Sequence, residues 1–244
     1  RPAAISITTH GAAAALVTAQ GGLALPILDY EHDGPQQFQA DYTALRPDFA
    51  ETGSAQLPGG LNLGAQLYWQ ARRFPAEFAE TAHILTYPQY WAFRLTGVSA
   101  SEVTSLGCHT DLWDPWRGQF STLLARASRD LGGPNWHDLF PGLRPAAARL
   151  GGLLPDLAAL TGLPADLPVY SGIHDSNASL LPYLGGKETA FSVVSSGTWM
   201  ICLAIGGDRV ALDARRDTLV NVNANGGPTP TARYMGGREF DEIT

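Results

Sequence analysis

The chain has 244 residues, 45% of them hydrophobic and 16% charged, which supplies a real core and argues against disorder. A formal charge of −7 leaves no general basic surface for nucleic acid, although local Arg, Lys or backbone N–H groups can still hold one small anion. The two cysteines, Cys108 and Cys202, lie far apart in no metal-ligand spacing, which argues against a disulfide framework, a zinc site or any other metal held by the protein.

Residues 4–18 (AISITTHGAAAALVT) read as a strand, a polar bend at Thr8-Thr9-His10-Gly11 and a second strand. His10 reads equally as a hydrogen-bonded structural histidine or as a ligand contact. Residues 23–28 resume a strand pattern and end in Asp29-Tyr30-Glu31-His32-Asp33, polar groups that face either a ligand or solvent. Residues 34–62 have weak periodicity and several Gly and Pro, so they read as loop with one short helix. Leu63, Leu67 and Ala71 then share one helical face by i, i+4 spacing. Pro75 suits the first turn of a second helix, with Phe78, Ala79 and Ala82 along its face. Thr86 caps a third, with Pro88 in its first turn and Gly97 as its stop. Its aromatics Tyr87, Tyr90, Trp91 and Phe93 read as core packing, with sugar stacking as the alternative.

Residues 101–114 show no helical face and read as extended or looped. Glu102 and Asp111 there are surface carboxylates or ligand contacts. Leu123, Leu124, Ala127 and Leu131 mark an amphipathic helix closed by Gly132-Gly133-Pro134, and residues 156–161 a short helix stopped by Gly162. A strand over 167–172 delivers Asp175, and a helix over 176–184 follows. Residues 191–195 and 199–205 are rich in Val, Ile, Phe and Trp, the pattern of a β-hairpin with Ser196-Gly197-Thr198 at its bend. Residues 220–223 form a further strand. An acid at a strand end, followed by a Gly-Thr bend, suits phosphoryl transfer: one group holds the accepting hydroxyl and the other the phosphate. The minority readings are that Asp175 is only a helix N-cap and Ser195–Thr198 only a tight turn; His174 reads equally as packing or as a substrate contact. A serine hydrolase through Ser195 or Ser196 is disfavoured, because no Gly-x-Ser-x-Gly elbow is present.

The run GLPADLPVYSGIHDSNAS (162–179) followed by FSVVSSGTW (191–199) resembles the FGGY carbohydrate kinases, most of all their rhamnulokinase branch. FRLTG (93–97), ISITTHGAAAALV (5–17) and LPILDYEHD (25–33) fit as well, and NVNANGG (221–227) and RYMGGREF (233–240) more loosely. The resemblance implies an α/β, actin/Hsp70/hexokinase-like fold of two ribonuclease-H-like domains. Residues 1–185 would be most of the N-terminal, sugar-side domain and residues 186–244 the start of the C-terminal, nucleotide-side domain. It implies ATP-dependent phosphorylation of a small ketose or deoxyketose such as rhamnulose, fuculose, ribulose or xylulose. Asp175 would be the general base; His10, Gly11, His174 and Ser176 would contact the sugar; Gly197 and Thr198 would hold the ATP phosphates, which Mg²⁺ would bridge. The alternative is a non-catalytic sugar-binding or regulatory protein of the same fold. The chain opens directly on a strand, stops inside a helix, and lacks an Asp-x-Gly-Thr phosphate loop and a late Gly-Gly-Gly motif. The expectation is therefore a chain truncated at both ends and inactive alone. The further expectations are a cytoplasmic protein without nucleic-acid or membrane partners, with a homodimer left open.

Overall fold

The computed structural model describes residues 2–185, 190–196, 200–234 and 236–243. Its first part is built on the strand Ala14–Thr18, which pairs antiparallel with Thr81–Thr86. Both faces of that strand are covered. Ala14 and Leu16 enter one cluster with Leu67, Leu112 and Trp136, whereas Ala15 and Val17 enter another with Leu85 and Tyr90. Alternating side chains that meet apolar partners on both sides explain why AALV (14–17) is apolar throughout.

Helices supply the cover. Leu63–Arg73 buries Leu63, Leu67 and Ala71, as their spacing predicts, and carries Arg72 and Arg73 in its last turn, where cations suit the helix dipole. Gln39–Leu45 and Leu123–Leu131 pack beside it, with Tyr42, Leu123, Leu124 and Ala127 buried. Tyr87–Thr96 ends at Gly97 in the left-handed region, and Pro155–Thr161 ends the same way at Gly162. Tyr90 is buried, but Trp91 is 44% exposed, so the aromatic stripe is only partly core.

Several sequence expectations change. Residues 23–28 form no strand; one bridge joins Leu23 to Val17, and Pro26 removes an N–H that a ladder needs. Ala82 lies in the strand Thr81–Thr86, because the helix begun at Pro75 stops at Ala79. The i, i+4 pattern runs on past that point, while the cross-strand partners that win are remote in sequence. Residues 34–62 hold more helix than expected: a 3₁₀ turn at Gly34–Phe38, then Gln39–Leu45 and Phe49–Thr52.

The later part is an antiparallel sheet ordered Thr218–Val222, Pro228–Tyr234, Met200–Ile205, Phe191–Ser196. Its first strand is pressed onto the earlier part of the chain. Val220 N–H donates to the Gly53 carbonyl at 2.9 Å. A Cβ on Gly53, whose φ is +61°, would lie 2.5 Å from the Val220 side chain, and one on Gly107 would collide with Val222. The helix Gly236–Ile243 follows.

Candidate active site

Two short parallel strands bring the site together. Thr8–Thr9 pairs with Ile173–His174 in the register Thr8 to Ile173 and Thr9 to His174. His10 and Asp175, each one residue further on, therefore leave the sheet at the same edge. Gly172, at φ +86°, breaks the strand before this edge, and any Cβ there would sit 2.8 Å from the Ile7 carbonyl. Gln89 donates to the Ser171 and Gly172 carbonyls at 3.0 and 3.3 Å and so anchors the break. The His174 N–H donates to Thr104 Oγ1 at 3.1 Å, and that hydroxyl donates to Glu102 Oε2 at 2.5 Å. Glu102 also caps the turn Val103–Leu106 by accepting the Thr104 and Ser105 N–H groups. It is fully buried, and burial pushes its carboxyl up.

Neither Glu102 nor Asp111 is the surface carboxylate that the sequence suggests. Asp111 is 1% exposed and takes a two-pronged Arg46 ion pair at 2.8 and 2.9 Å plus the Tyr42 hydroxyl at 2.7 Å. Every one of those contacts is internal to the core.

Asp175 opens the helix Asp175–Leu180, with its side chain 51% exposed. Its Oδ1 accepts the Ser176 N–H at 2.6 Å, so it bonds its neighbour and does not cap the helix. His174 is the N-cap residue by position, but its side chain caps nothing. That ring is 5% exposed and lies 3.2 Å from Asp175 Oδ1 and 3.3 Å from Cys108 Sγ. Burial, opposed by Asp175, lowers its pKa, so the ring is neutral at pH 7. Burial raises the Cys108 thiol to about 12, with Asp175 adding to the effect, so this cysteine is not a nucleophile at neutral pH. Gly11 makes room for both: a Cβ there would be 3.1 Å from His174 Nε2 and 3.2 Å from Cys108 Sγ. His10 is exposed, donates Nδ1–H to the Gly11 carbonyl at 2.7 Å, and meets Tyr30 edge-on and Tyr87 at a tilt.

A cavity of about 180 Å³ adjoins these residues. Cys108, His109, His174 and Ser176 line one side; Asn221, Thr231 and Arg233 of the later sheet line the other. Asn221 and Thr231 bond each other at 3.0 Å, and Arg233 meets Asp217 at 3.2 Å. Three larger hollows, of 570, 800 and 400 Å³, are lined by neither His174 nor Ser176, so chemistry and not volume selects this one. His10, Gly11, His174, Asp175 and Ser176 are thus neighbours. Gly197 and Thr198 lie outside the described residues. The flanking Ser196 and Met200 pair with each other, as a hairpin requires. Among the described residues no three His, Cys, Asp or Glu side chains group closely enough to hold a metal, and no helix is long and apolar enough to cross a membrane. Sequence reasoning passed over Cys108, Asn177, Asn221 and Arg233 as site residues; no local pattern marks them.

Residues 2–182 match the N-terminal domain of the FGGY family of carbohydrate kinases, and residues 188–244 match the carbohydrate kinase FGGY C-terminal domain. An L-fuculokinase of Salmonella typhi is 32% identical over 213 residues, covering 83% of this chain and 42% of that protein. The L-fuculokinase of Escherichia coli K12 is 31% identical over 82% of this chain and 41% of its own length. A carbohydrate kinase from Novosphingobium aromaticivorans superposes with a TM-score of 0.90 at 44% identity, over 98% of this chain and 50% of that one. A xylulose kinase from Rhodospirillum rubrum, at 24% identity and TM-score 0.73, shares the fold over 100% of this chain and 49% of its own. The chain thus spans half or less of the length of these relatives, and its fold is actin/hexokinase-like. With both family domains matched in order and the fold shared, this chain belongs to the FGGY family of carbohydrate kinases.

Proposed function

We propose that the protein phosphorylates a hydroxyl of a small ketose or deoxyketose at the expense of ATP, with Asp175 as general base. The observation that carries this is the Asp175 carboxylate, half exposed at a strand end between His174 and Ser176, both of which line a small cavity. Such a transfer passes through a loose transition state, so the protein's task is to position the reactants and stabilise charge. Asp175 accepts the hydroxyl proton and aims the oxygen at the phosphorus. Ser176, Gly11, His10 and His174 form the sugar side. Residues 1–185 would carry that side, and residues 186–244 would begin the nucleotide side, with Gly197 and Thr198 at the phosphates. ATP supplies the transferred group, and Mg²⁺ would ride on its phosphates.

A deoxyketose is favoured. The L-fuculokinases are among the relatives, and the His174-Asp175 pair with the SSGTW hairpin resembles the rhamnulokinase branch. The test is ADP release from the full-length protein with Mg²⁺ and a panel of L-fuculose, L-rhamnulose, D-ribulose and D-xylulose. Sugar-dependent ADP with one of the deoxyketoses is expected. Sugar binding without any nucleotide turnover would replace the kinase reading by that of a sugar-binding protein.

A further inference from the structure

His109 lines the cavity beside Asp175, and the mechanism above leaves it unused. Its backbone sits at φ +43°, in the left-handed region, where a residue with a Cβ is strained. A glycine would take that conformation freely. Two hydrogen bonds hold the histidine in it. Its carbonyl accepts the Asn62 side-chain amide at 3.0 Å, and its Nδ1 bonds the Leu61 carbonyl at 2.7 Å. Asn62 is 2% exposed and its Oδ1 accepts the Leu57 N–H at 2.8 Å, so this clamp belongs to the core. A carbonyl only accepts, so Nδ1 carries a ring proton. One edge of the imidazole is thus spent on the fold, and Nε2 is left over. Nε2 has no partner among the described residues, and unlike Asn221 Oδ1 it is not sealed off by protein. The groups beside it are committed. His174 Nε2 and Cys108 Sγ lie 3.3 Å apart, and the Ser176 hydroxyl reaches Asp175 Oδ1 at 3.3 Å. Across the cavity, the Thr231 hydroxyl donates to the Thr229 carbonyl at 2.9 Å and accepts Asn221 Nδ2 at 3.0 Å. A strained residue held by several contacts, with one polar atom open to a cavity, is the mark of a ligand contact.

We propose that His109 is a sugar-binding residue whose Nε2 takes a hydroxyl of the ketose other than the one that meets Asp175. The inference rests on the kinase reading above and adds to its sugar side a residue of the strained segment 108–111. With Nδ1–H held by Leu61, the neutral ring offers Nε2 as an acceptor for a hydroxyl proton. Burial, which lowers the pKa to about 4 against the Leu61 bond, agrees with a neutral ring at pH 7. A contact to a hydroxyl that does not react is made alike in the ground state and the transition state. It therefore sets affinity for the sugar and not the rate of the chemical step.

Two substitutions divide the ring between them. His109→Asn puts an amide near the Nδ1 position and tolerates positive φ, so it can keep the Leu61 bond, but it has nothing at Nε2. His109→Gln reaches the Nε2 position and gives up the Leu61 bond. In the full-length protein, Kd for sugar is measured by titration calorimetry, and kcat and KM by ADP release. The sugar is whichever of L-fuculose, L-rhamnulose, D-ribulose and D-xylulose the wild type takes. His109→Asn is expected to melt close to the wild type and to raise Kd and KM for that sugar about 10- to 100-fold, with kcat and KM for ATP within a few-fold. His109→Gln should bind the sugar within a few-fold of the wild type even where it melts lower. A His109→Asn variant that binds sugar like the wild type overturns the proposal, as does an equal loss of affinity in both variants. If His109→Asn does not fold, His109→Gln decides: a Kd within a few-fold of the wild type supports the contact, and a Kd tenfold weaker in the folded variant overturns it. If the wild type neither binds nor turns over any of these sugars, the kinase reading fails and this contact falls with it. If it binds a sugar without turnover, the kinase reading alone fails and Kd still decides for His109. If only the His109 outcomes fail, the kinase reading stands.

Discussion

At the residue scale the molecule separates buried charge that supports the fold from exposed charge that is free to react. Asp111 and Arg46 belong to the first kind, with side chains 0% and 12% exposed. Breaking such a pair strands a charge, so Arg46→Met is expected to cost about 3–5 kcal/mol, read as a fall in the urea midpoint. Asp175 belongs to the second kind, half exposed and with one oxygen open. His109 gives the fold a pH limit. Burial holds its pKa down to about 4, with the Leu61 carbonyl bond opposing. Its native pKa is therefore below its unfolded value near 6.5. The associated stability is complete above about pH 6.5 and drains as pH falls toward 4, because only the unfolded chain takes up the proton there. Thermal melts of wild type and His109→Gln across this window should show a steeper acid loss for the wild type.

At the scale of elements, the strand end that carries Asp175 is held from two directions. Gln89 grips the Gly172 break, and Glu102 reaches the His174 N–H through Thr104. The HDSN run was legible as a strand end entering a helix because it is one local segment of consecutive residues. Thr104 and Cys108, and Glu102 behind Thr104, were not, since Thr104 and Cys108 meet His174 across 70 and 66 residues of chain and no pattern in 101–114 points there. The helices with regular apolar spacing, Leu63–Arg73 and Leu123–Leu131, were legible for the same local reason. Thr81–Thr86 was hidden behind the helical pattern of its neighbour, and only its pairing with Ala14–Thr18 reveals it. The contact of Val220 with Gly53 joins the two parts of the chain, so Gly53→Val is expected to be destabilising by more than about 1 kcal/mol, from positive φ and collision together. Limited proteolysis should then cut first between the parts; an unchanged pattern would mean that this contact does not hold them.

At the scale of the whole molecule, an α/β part that presents Asp175 meets an antiparallel sheet across a small cavity. Family and fold agree with the sequence reading, whereas the nucleotide side rests on residues 197–199, which lie outside the described residues. The assignment of Asp175 as base carries the whole functional account. Its most direct test is kcat for sugar-dependent ADP formation by Asp175→Asn in the full-length protein, with folding checked by thermal melting. Asn keeps the shape and the Ser176 contact but cannot accept the proton. The expected result is a fall in kcat of about 10²- to 10⁴-fold at near-native melting temperature. A variant that melts normally and keeps kcat within a few-fold of the wild type would contradict it.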